Sequence, residues 1–282
     1  MSEPIDPFNI RAHVPRFAER AADFRASSAA TRARLTSRLD VGYGEGPDEK
    51  LDLFFPEPGR REKPAPIHLF IHGGYWRANS KNDFSFLADS IVAQGAIAAI
   101  LDYSLMPRAR MGALVDQVRR AAVWLGRQAH GFGGDPQAIS ASGHSAGGHL
   151  VAYLVCRAPR EAEFPRNPVR SVLAVSGLFD LAPIALSFLQ PEIHLTPEEI
   201  EQWSPCDAVP RPDSLVRLAV GGAETAPFFE LAQRFADRLS SFGLAPRSST
   251  VAGEDHMSIV RSLGRPGSEC ASLLAETIAA GR

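Results

Sequence analysis

The stretch Gln137-Ala-Ile-Ser-Ala-Ser-Gly-His-Ser-Ala-Gly-Gly-His-Leu150 decides how the rest of the chain is read. It opens with a short run that fits a buried strand and turns sharply at Gly143-His-Ser-Ala-Gly147. It then continues into an apolar helix carrying Leu150, Val151, Leu154 and Val155. Strand, turn and helix in that order are the context in which a G-x-S-x-G pentapeptide becomes a nucleophile elbow. The turn holds its serine in a strained conformation, so only residues without bulk fit two places before and after Ser145. That geometry lifts the Ser145 hydroxyl to the top of a sheet and sets the Ala146 N–H at the helix start, where it can receive an oxyanion. The pentapeptide alone also fits a plain Gly/Ser-rich loop, so its surroundings must decide.

Outward from the elbow, short apolar runs alternate with helical patterns. Upstream, Met111–Gln128 sets Leu114, Val115, Val118, Ala121, Ala122 and Leu125 on one face of a helix. Before it come a buried strand over Ala96–Leu101, a helix over Phe84–Ala93 and a central strand over Ile67–Ile71. Downstream, the elbow helix spans Gly147–Arg157. Strands follow over Ser171–Val175, Leu215–Val220 and Arg247–Val251, with helices over Phe229–Leu239 and Ala271–Ala280. Such alternation implies an α/β fold with a mostly parallel sheet covered by helices on both faces. Residues 1–282 read as one domain. Nearer the start, Arg38–Tyr43 and Lys50–Phe55 form a hairpin-like strand pair, and a Pro- and charge-rich loop spans Glu57–Pro66. The N-terminal segment 1–37 carries Phe17, Ala21 and Phe24 at helical spacing, so Pro15–Leu35 reads as an amphipathic helix laid against the body.

One stretch breaks the alternation. Segment 177–210 has no strand pattern. Its Thr196-Pro-Glu-Glu-Ile supplies an N-cap threonine, a first-turn proline and first-turn acids. It reads as a small helical, cap-like insertion over the mouth of the sheet, where an insertion shapes a pocket.

Composition removes several classes. With 282 residues, 45% hydrophobic content and a net charge of −2, the chain can bury a large core and shows no basic patch for nucleic acid or an anionic membrane. The opening Met1-Ser-Glu-Pro-Ile-Asp-Pro7 lacks the charged and apolar regions of a secretory signal, and no apolar run is long enough to span a bilayer. Three scattered cysteines, Cys156, Cys206 and Cys270, read as structural thiols of a reducing cytoplasm. No two histidines stand at ligand spacing on a common element, so neither a metal nor another cofactor is expected. The oligomeric state stays open, a homodimer being one option.

A serine nucleophile needs a general base, and the base needs an orienting acid. Three histidines follow Ser145. His149 lies one turn into the elbow helix and His194 lies in the insertion. His256, in Gly253-Glu-Asp-His-Met257, follows the last strand, where a loop can deliver an imidazole above the sheet. His144 reads as a packing or capping residue. Glu224, in Gly221-Gly-Ala-Glu224, stands at the end of strand Leu215–Val220, where the acid belongs; Glu230, Glu254 and Asp255 are its rivals. Strand Ile67–Ile71 ends in His72-Gly-Gly-Tyr-Trp76. In folds with an elbow such a loop supplies the second half of the oxyanion hole, so Gly73, Gly74 or Tyr75 would join Ala146.

His72-Gly-Gly-Tyr-Trp76, Gly133-Gly-Asp-Pro136 and Gly143-His-Ser-Ala-Gly-Gly148 resemble the α/β-hydrolase branch that contains hormone-sensitive-lipase-like esterases and kynurenine formamidases (arylformamidases). Lys50-Leu-Asp-Leu-Phe-Phe-Pro56 and Ser176-Gly-Leu-Phe-Asp-Leu181 with Leu195-Thr-Pro197 favour the formamidase side. The resemblance runs from about Val41 to the C-terminus and implies a cofactor-free serine hydrolase. In that branch the acid is usually aspartate; here Glu224 stands at the matching place. Expected is cleavage of a small acyl group from an aryl amide or ester, so the partner is a small molecule with an aromatic leaving group. A short-chain carboxylesterase and a non-catalytic binder on the same scaffold are the alternatives, and the intact Ser145, His256 and Glu224 set argues against the binder. Tyr75, Trp76, Phe179, Phe188 and Phe228 are candidates for an aromatic wall of the cleft, though each fits the core equally well.

Overall fold

The structure, a computed structural model, describes residues 4–57, 64–159, 161 and 167–282. Eight strands form one sheet in the order β1-β2-β4-β3-β5-β6-β7-β8. They are β1 (Ser37–Gly42), β2 (Lys50–Phe54), β3 (Ala65–Ile71), β4 (Ile97–Leu101), β5 (Gly134–His144), β6 (Val169–Val175), β7 (Leu215–Gly221) and β8 (Arg247–Val251). The β1–β2 and β2–β4 pairs are antiparallel and the other five are parallel. Every residue of β3 and β4 is buried, as parallel strands covered on both faces require. Most of the expected loop at 57–66 lies outside the described residues.

Helices α1 (Ile10–His13) and α2 (Phe17–Arg34) precede the sheet. Then come α3 (Lys81–Phe84), α4 (Ala88–Ala93), α5 (Met111–Gln128) and α6 (Ala146–Ala152). Three short helices, α7 (Ala182–Ala185), α8 (Gln190–Ile193) and α9 (Pro197–Gln202), occupy the stretch expected as an insertion. The chain ends with α10 (Ala226–Ser241), α11 (Ser258–Leu263) and α12 (Glu269–Ala280). A Cβ on Gly126 of α5 would press on Pro168 and reach the Ile139 side chain, whereas one on Gly281, just beyond α12, would lie 3.0 Å from the Ser140 side chain. Successive β5 residues point to opposite faces, so α5 and α12 cover opposite sides of the sheet. On the α12 side, His68 of β3 hydrogen-bonds the hydroxyls of both Ser140 and Ser142, and burial lowers its pKa to about 3.

Two helices differ from the sequence reading. The expected Phe84–Ala93 helix starts earlier, at a Ser80–Asp83 capping box, and is interrupted by a 3-10 turn over Ser85–Leu87. There the Phe86 N–H donates to the Ser28 hydroxyl of α2, which takes it out of the helical ladder. The elbow helix stops at Ala152 because the chain then pairs with the exit of the 177–210 segment: Arg157 N–H donates to Val209 and Arg211 N–H to Val155. Cys156, Cys206 and Cys270 are buried free thiols. Among the described residues no helix is long and apolar enough to cross a membrane.

Candidate active site

The turn after β5 has the strain its sequence demands. Ser145 adopts φ 56°, ψ −119°, a conformation L residues rarely take and one that costs roughly 1–3 kcal/mol. It is held by its N–H on the Val175 carbonyl at 2.9 Å and by its own carbonyl, which accepts the His149 N–H at 3.1 Å. A Cβ on Gly143 would sit 2.1 Å from the Gly147 carbonyl oxygen, and one on Gly147 would sit 2.1 Å from that of Ile71. Both glycines are therefore steric requirements of the turn.

At the carboxyl end of β7, the Glu224 side chain is shut off from solvent and carries three donors. Its Oε2 lies 2.6 Å from His256 Nδ1; its Oε1 accepts the Gly221 N–H at 2.7 Å and the Ser176 hydroxyl at 2.5 Å. Nδ1 thus donates to the carboxylate, leaving Nε2 as the basic atom of the His256 ring. That ring packs between His144 and Phe228, each with its ring centre 4.6 Å away. His144 Nε2–H donates to the His256 carbonyl at 2.9 Å. Burial, and then the neighbouring His256, keep His144 well below the usual imidazole range, so it stands neutral beside His256. His149 is buried against the Trp203 carbonyl, away from the elbow. The rival acids are engaged elsewhere: Asp255 accepts from the Met257 and Ser258 N–H groups and pairs with Arg20, Glu254 pairs with Arg265, and Glu230 is exposed on α10. Ser176, quoted above only as part of a resemblance, is the residue that sequence reasoning missed; nothing local marks it as a partner of a residue 48 positions away.

The loop after β3 presses on the elbow. His72 is buried and stacks on Tyr103 at 4.4 Å, whose hydroxyl donates to the His72 carbonyl at 2.9 Å. A Cβ on Gly73 would lie 2.8 Å from the His144 carbonyl oxygen and 3.0 Å from Ser145 Cβ, so bare backbone meets the serine here. Gly74 at φ +120° and Tyr75 at φ 51° turn the chain back on itself. No acceptor among the described residues takes the N–H groups of Gly73, Gly74, Tyr75 or Ala146.

A cavity of about 600 Å³ opens over these residues, with Ser145, His144, His256, Gly73 and Gly74 at its base. Tyr75 and Phe188 line it and meet edge to face at 6.0 Å. The other three aromatic candidates do not. Trp76 is buried against His149, Phe179 stacks on Phe235 at 4.4 Å, and Phe228 is fully buried between Phe8 and His256. Their apolar area belongs to the core. Segment 177–210 also contributes less than expected, with Phe188 and Glu192. The larger wall comes from the N-terminal segment, with Asn9, Ile10 and Arg11 near α1 and Phe17, Phe24 and Arg25 from α2. Among the described residues no three His, Cys, Asp or Glu side chains stand close enough to hold a metal ion.

Comparison with known proteins agrees with this architecture. Residues 51–185 match the BD-FAE family model. The kynurenine formamidase of Danio rerio is 29% identical over 260 residues, covering 90% of this chain and 84% of its own. Esterase LipC of Mycobacterium tuberculosis is 34% identical over 154 residues, which span 52% of this chain and 37% of that one. A crystal structure from Silicibacter, of a protein assigned as a thioesterase, superposes with a TM-score of 0.84 at 28% identity and covers 98% of this chain and 99% of its own. The chain is an α/β-hydrolase and a hydrolytic enzyme. Within that superfamily it is similar to kynurenine formamidases and to esterases.

Proposed function

We propose that the protein is a serine hydrolase that removes a small acyl group, formyl or acetyl, from an aromatic amine or phenol. The observation that carries this reading is the buried Glu224–His256 pair at 2.6 Å, whose imidazole shares a cavity with a serine on a strained elbow. Ser145 Oγ attacks the carbonyl carbon while its proton passes to His256 Nε2. The tetrahedral oxyanion lies against Ala146 N–H and the free amides of the 73–75 loop, each worth roughly 10²–10³ in rate. Collapse breaks the C–N or C–O bond, and His256 hands its proton to the departing nitrogen or oxygen. Water, deprotonated by His256, then releases the acid from the acyl-serine. Glu224 keeps the imidazole in the Nε2-basic tautomer and stabilises the imidazolium. The imidazole must be neutral at Nε2 to accept the serine proton.

The small acyl group follows from Gly73. Its bare backbone packs directly against His144 and Ser145, so the wall beside the serine is main chain, which cannot swing aside for a longer acyl group as a side chain can. Segment 177–210 reads as the cap of a single 1–282 domain, and the planar leaving group lies against the wall that Tyr75 and Phe188 form together. Aryl esters with acyl chains from formyl to octanoyl, assayed beside aryl formamides such as N-formylkynurenine, test the proposal. A maximum in kcat/KM at formyl or acetyl is expected. A maximum at butanoyl or longer without formamide cleavage overturns it in favour of the short-chain carboxylesterase. Absence of fluorophosphonate labelling at Ser145 removes both.

A further inference from the structure

We propose that Arg11 and Arg25 form an anion subsite at the end of the cavity remote from Ser145, and that the leaving group carries a carboxylate there. The inference rests on the reading above, in that a leaving group occupies this cavity. Five charged side chains line it: Arg11, Arg25, Arg77, Asp83 and Glu192. Arg77 is matched by Glu192 at 2.6 Å, and Asp83 accepts the Ser80 N–H at 2.9 Å in the α3 capping box. Arg11 and Arg25 have no carboxylate partner among the described residues; Arg11 instead lies 5.5 Å over the ring of Phe17. Three guanidinium groups thus stand against two carboxylates in this lining, and because the chain as a whole is slightly acidic, the local excess of positive charge is not a general basic surface.

The two arginines also enclose a space of their own. A smaller cavity of about 300 Å³ is lined by Arg11, Phe17, Ala18, Ala21 and Arg25, four of which also line the larger one. None of its lining belongs to the elbow, the 72–76 loop or the His256 loop, which puts it at the far end from the scissile bond. Phe17, Ala21 and Arg25 follow at i, i+4 and i+8 along α2, so a single stripe of that helix presents an aromatic ring, a gap and a guanidinium. Arg11 closes the gap from α1. Two planar forks over an apolar floor suit a carboxylate, which each can engage with paired N–H donors.

Two acetyl esters test this, 3-(4-acetoxyphenyl)propanoate and the neutral 3-(4-acetoxyphenyl)propanamide, which share acyl group, ring and leaving oxygen. The wild-type enzyme is expected to favour the carboxylate in kcat/KM by roughly tenfold or more, with the preference shrinking at high salt. Arg11→Gln and Arg25→Gln should each lower that ratio about tenfold, and Arg25→Lys should restore part of it. Equal kcat/KM for the two esters, or a ratio that neither substitution moves, overturns the subsite while leaving the hydrolase reading intact. If neither ester is turned over, the acyl-transfer reading fails, and calorimetry with 3-(4-hydroxyphenyl)propanoate and its amide decides the subsite separately. Tighter binding of the acid that is lost in Arg25→Gln upholds it; equal affinities overturn it.

Discussion

The N-terminal segment and segment 177–210 both lay short helices beside the same cavity, but they are fastened by different forces. Segment 177–210 is built into the core: Leu178, Phe179, Leu181, Ile184, Leu189 and Ile193 are all buried. The N-terminal segment buries Phe8, Ile10, Val14 and Phe24, yet its longer-range ties are mostly polar. Arg20 pairs with Asp255 at 2.8 Å, Asp23 with Arg261 at 2.8 Å, and Asp6 accepts the Phe188 N–H at 2.7 Å. Thr225 donates to the Pro7 carbonyl at 2.8 Å, and the Tyr75 hydroxyl donates to that of Phe8. The difference separates two modes of attachment. One wall is fastened almost wholly by apolar burial, and the other adds polar ties to a smaller set of buried side chains.

The sharpest break would come from chemistry that leaked across this division. Glu224→Gln should lower kcat about a thousandfold or more, and Ser145→Ala by at least as much. Asp255→Asn, one residue from His256 but tied to the N-terminal helix, should lose less than about tenfold. A damaging Asp255→Asn in steady-state kinetics would mean that the His256 loop depends on the polar fastening, and the division fails.

Stability should divide the same way. Leu189→Ala removes a buried side chain and should cost about 2–5 kcal/mol in urea unfolding. Arg20→Ala breaks a partly exposed ion pair and should cost below about 1 kcal/mol. Similar costs for both would show that the N-terminal segment is as structural as its counterpart.

Acid should attack the core side first. His149, which ties α6 to the Trp203 carbonyl, has its pKa lowered by burial to about 4, and His68 to about 3. Both are neutral in the fold, whereas the unfolded chain protonates them near 6.5. Above that pH they contribute no pH dependence. Below it the unfolded state binds protons that the folded state cannot, so each removes about 1.4 kcal/mol per pH unit, until His149 titrates near 4 and His68 near 3. Denaturant unfolding at pH 7.5, 6 and 5 should show this decline; a flat profile through pH 5 contradicts it. The smallest effect on global stability belongs to Tyr75→Phe, which deletes one hydroxyl donor to Phe8. It should cost roughly 1 kcal/mol of local docking, read as faster amide exchange over residues 8–14 with little change in global unfolding.

Much of the candidate site's local geometry was legible because it obeys local rules. Glycines flanking Ser145, paired glycines after β3, and an acid and a histidine just past the last two strands all follow from what a turn at a sheet edge permits. Thr196 and Glu199 likewise form the reciprocal cap their spacing suggests. What escaped depends on distance in the chain. Arg20 meets Asp255 across 235 residues, and neither carries a local mark of the meeting. Aromatic residues were ambiguous for another reason: Phe179 and Phe188 look alike in sequence, yet one stacks in the core and the other faces the cavity. The signal for helix α11 was present in Asp255, whose carboxylate takes the Met257 and Ser258 N–H groups.

The order of these parts along the chain bears on how such an enzyme can diversify. Every cavity residue of the N-terminal wall falls within the first 25 positions, whereas the elbow, the loop amides, Glu224 and His256 all lie beyond position 72. A single recombination event, or a swapped leader of some 30 residues in the laboratory, would thus replace the surface that greets the leaving group in one piece and leave every proposed catalytic atom untouched. Drift in so short a stretch is a far smaller search than drift in a pocket assembled from many separate loops.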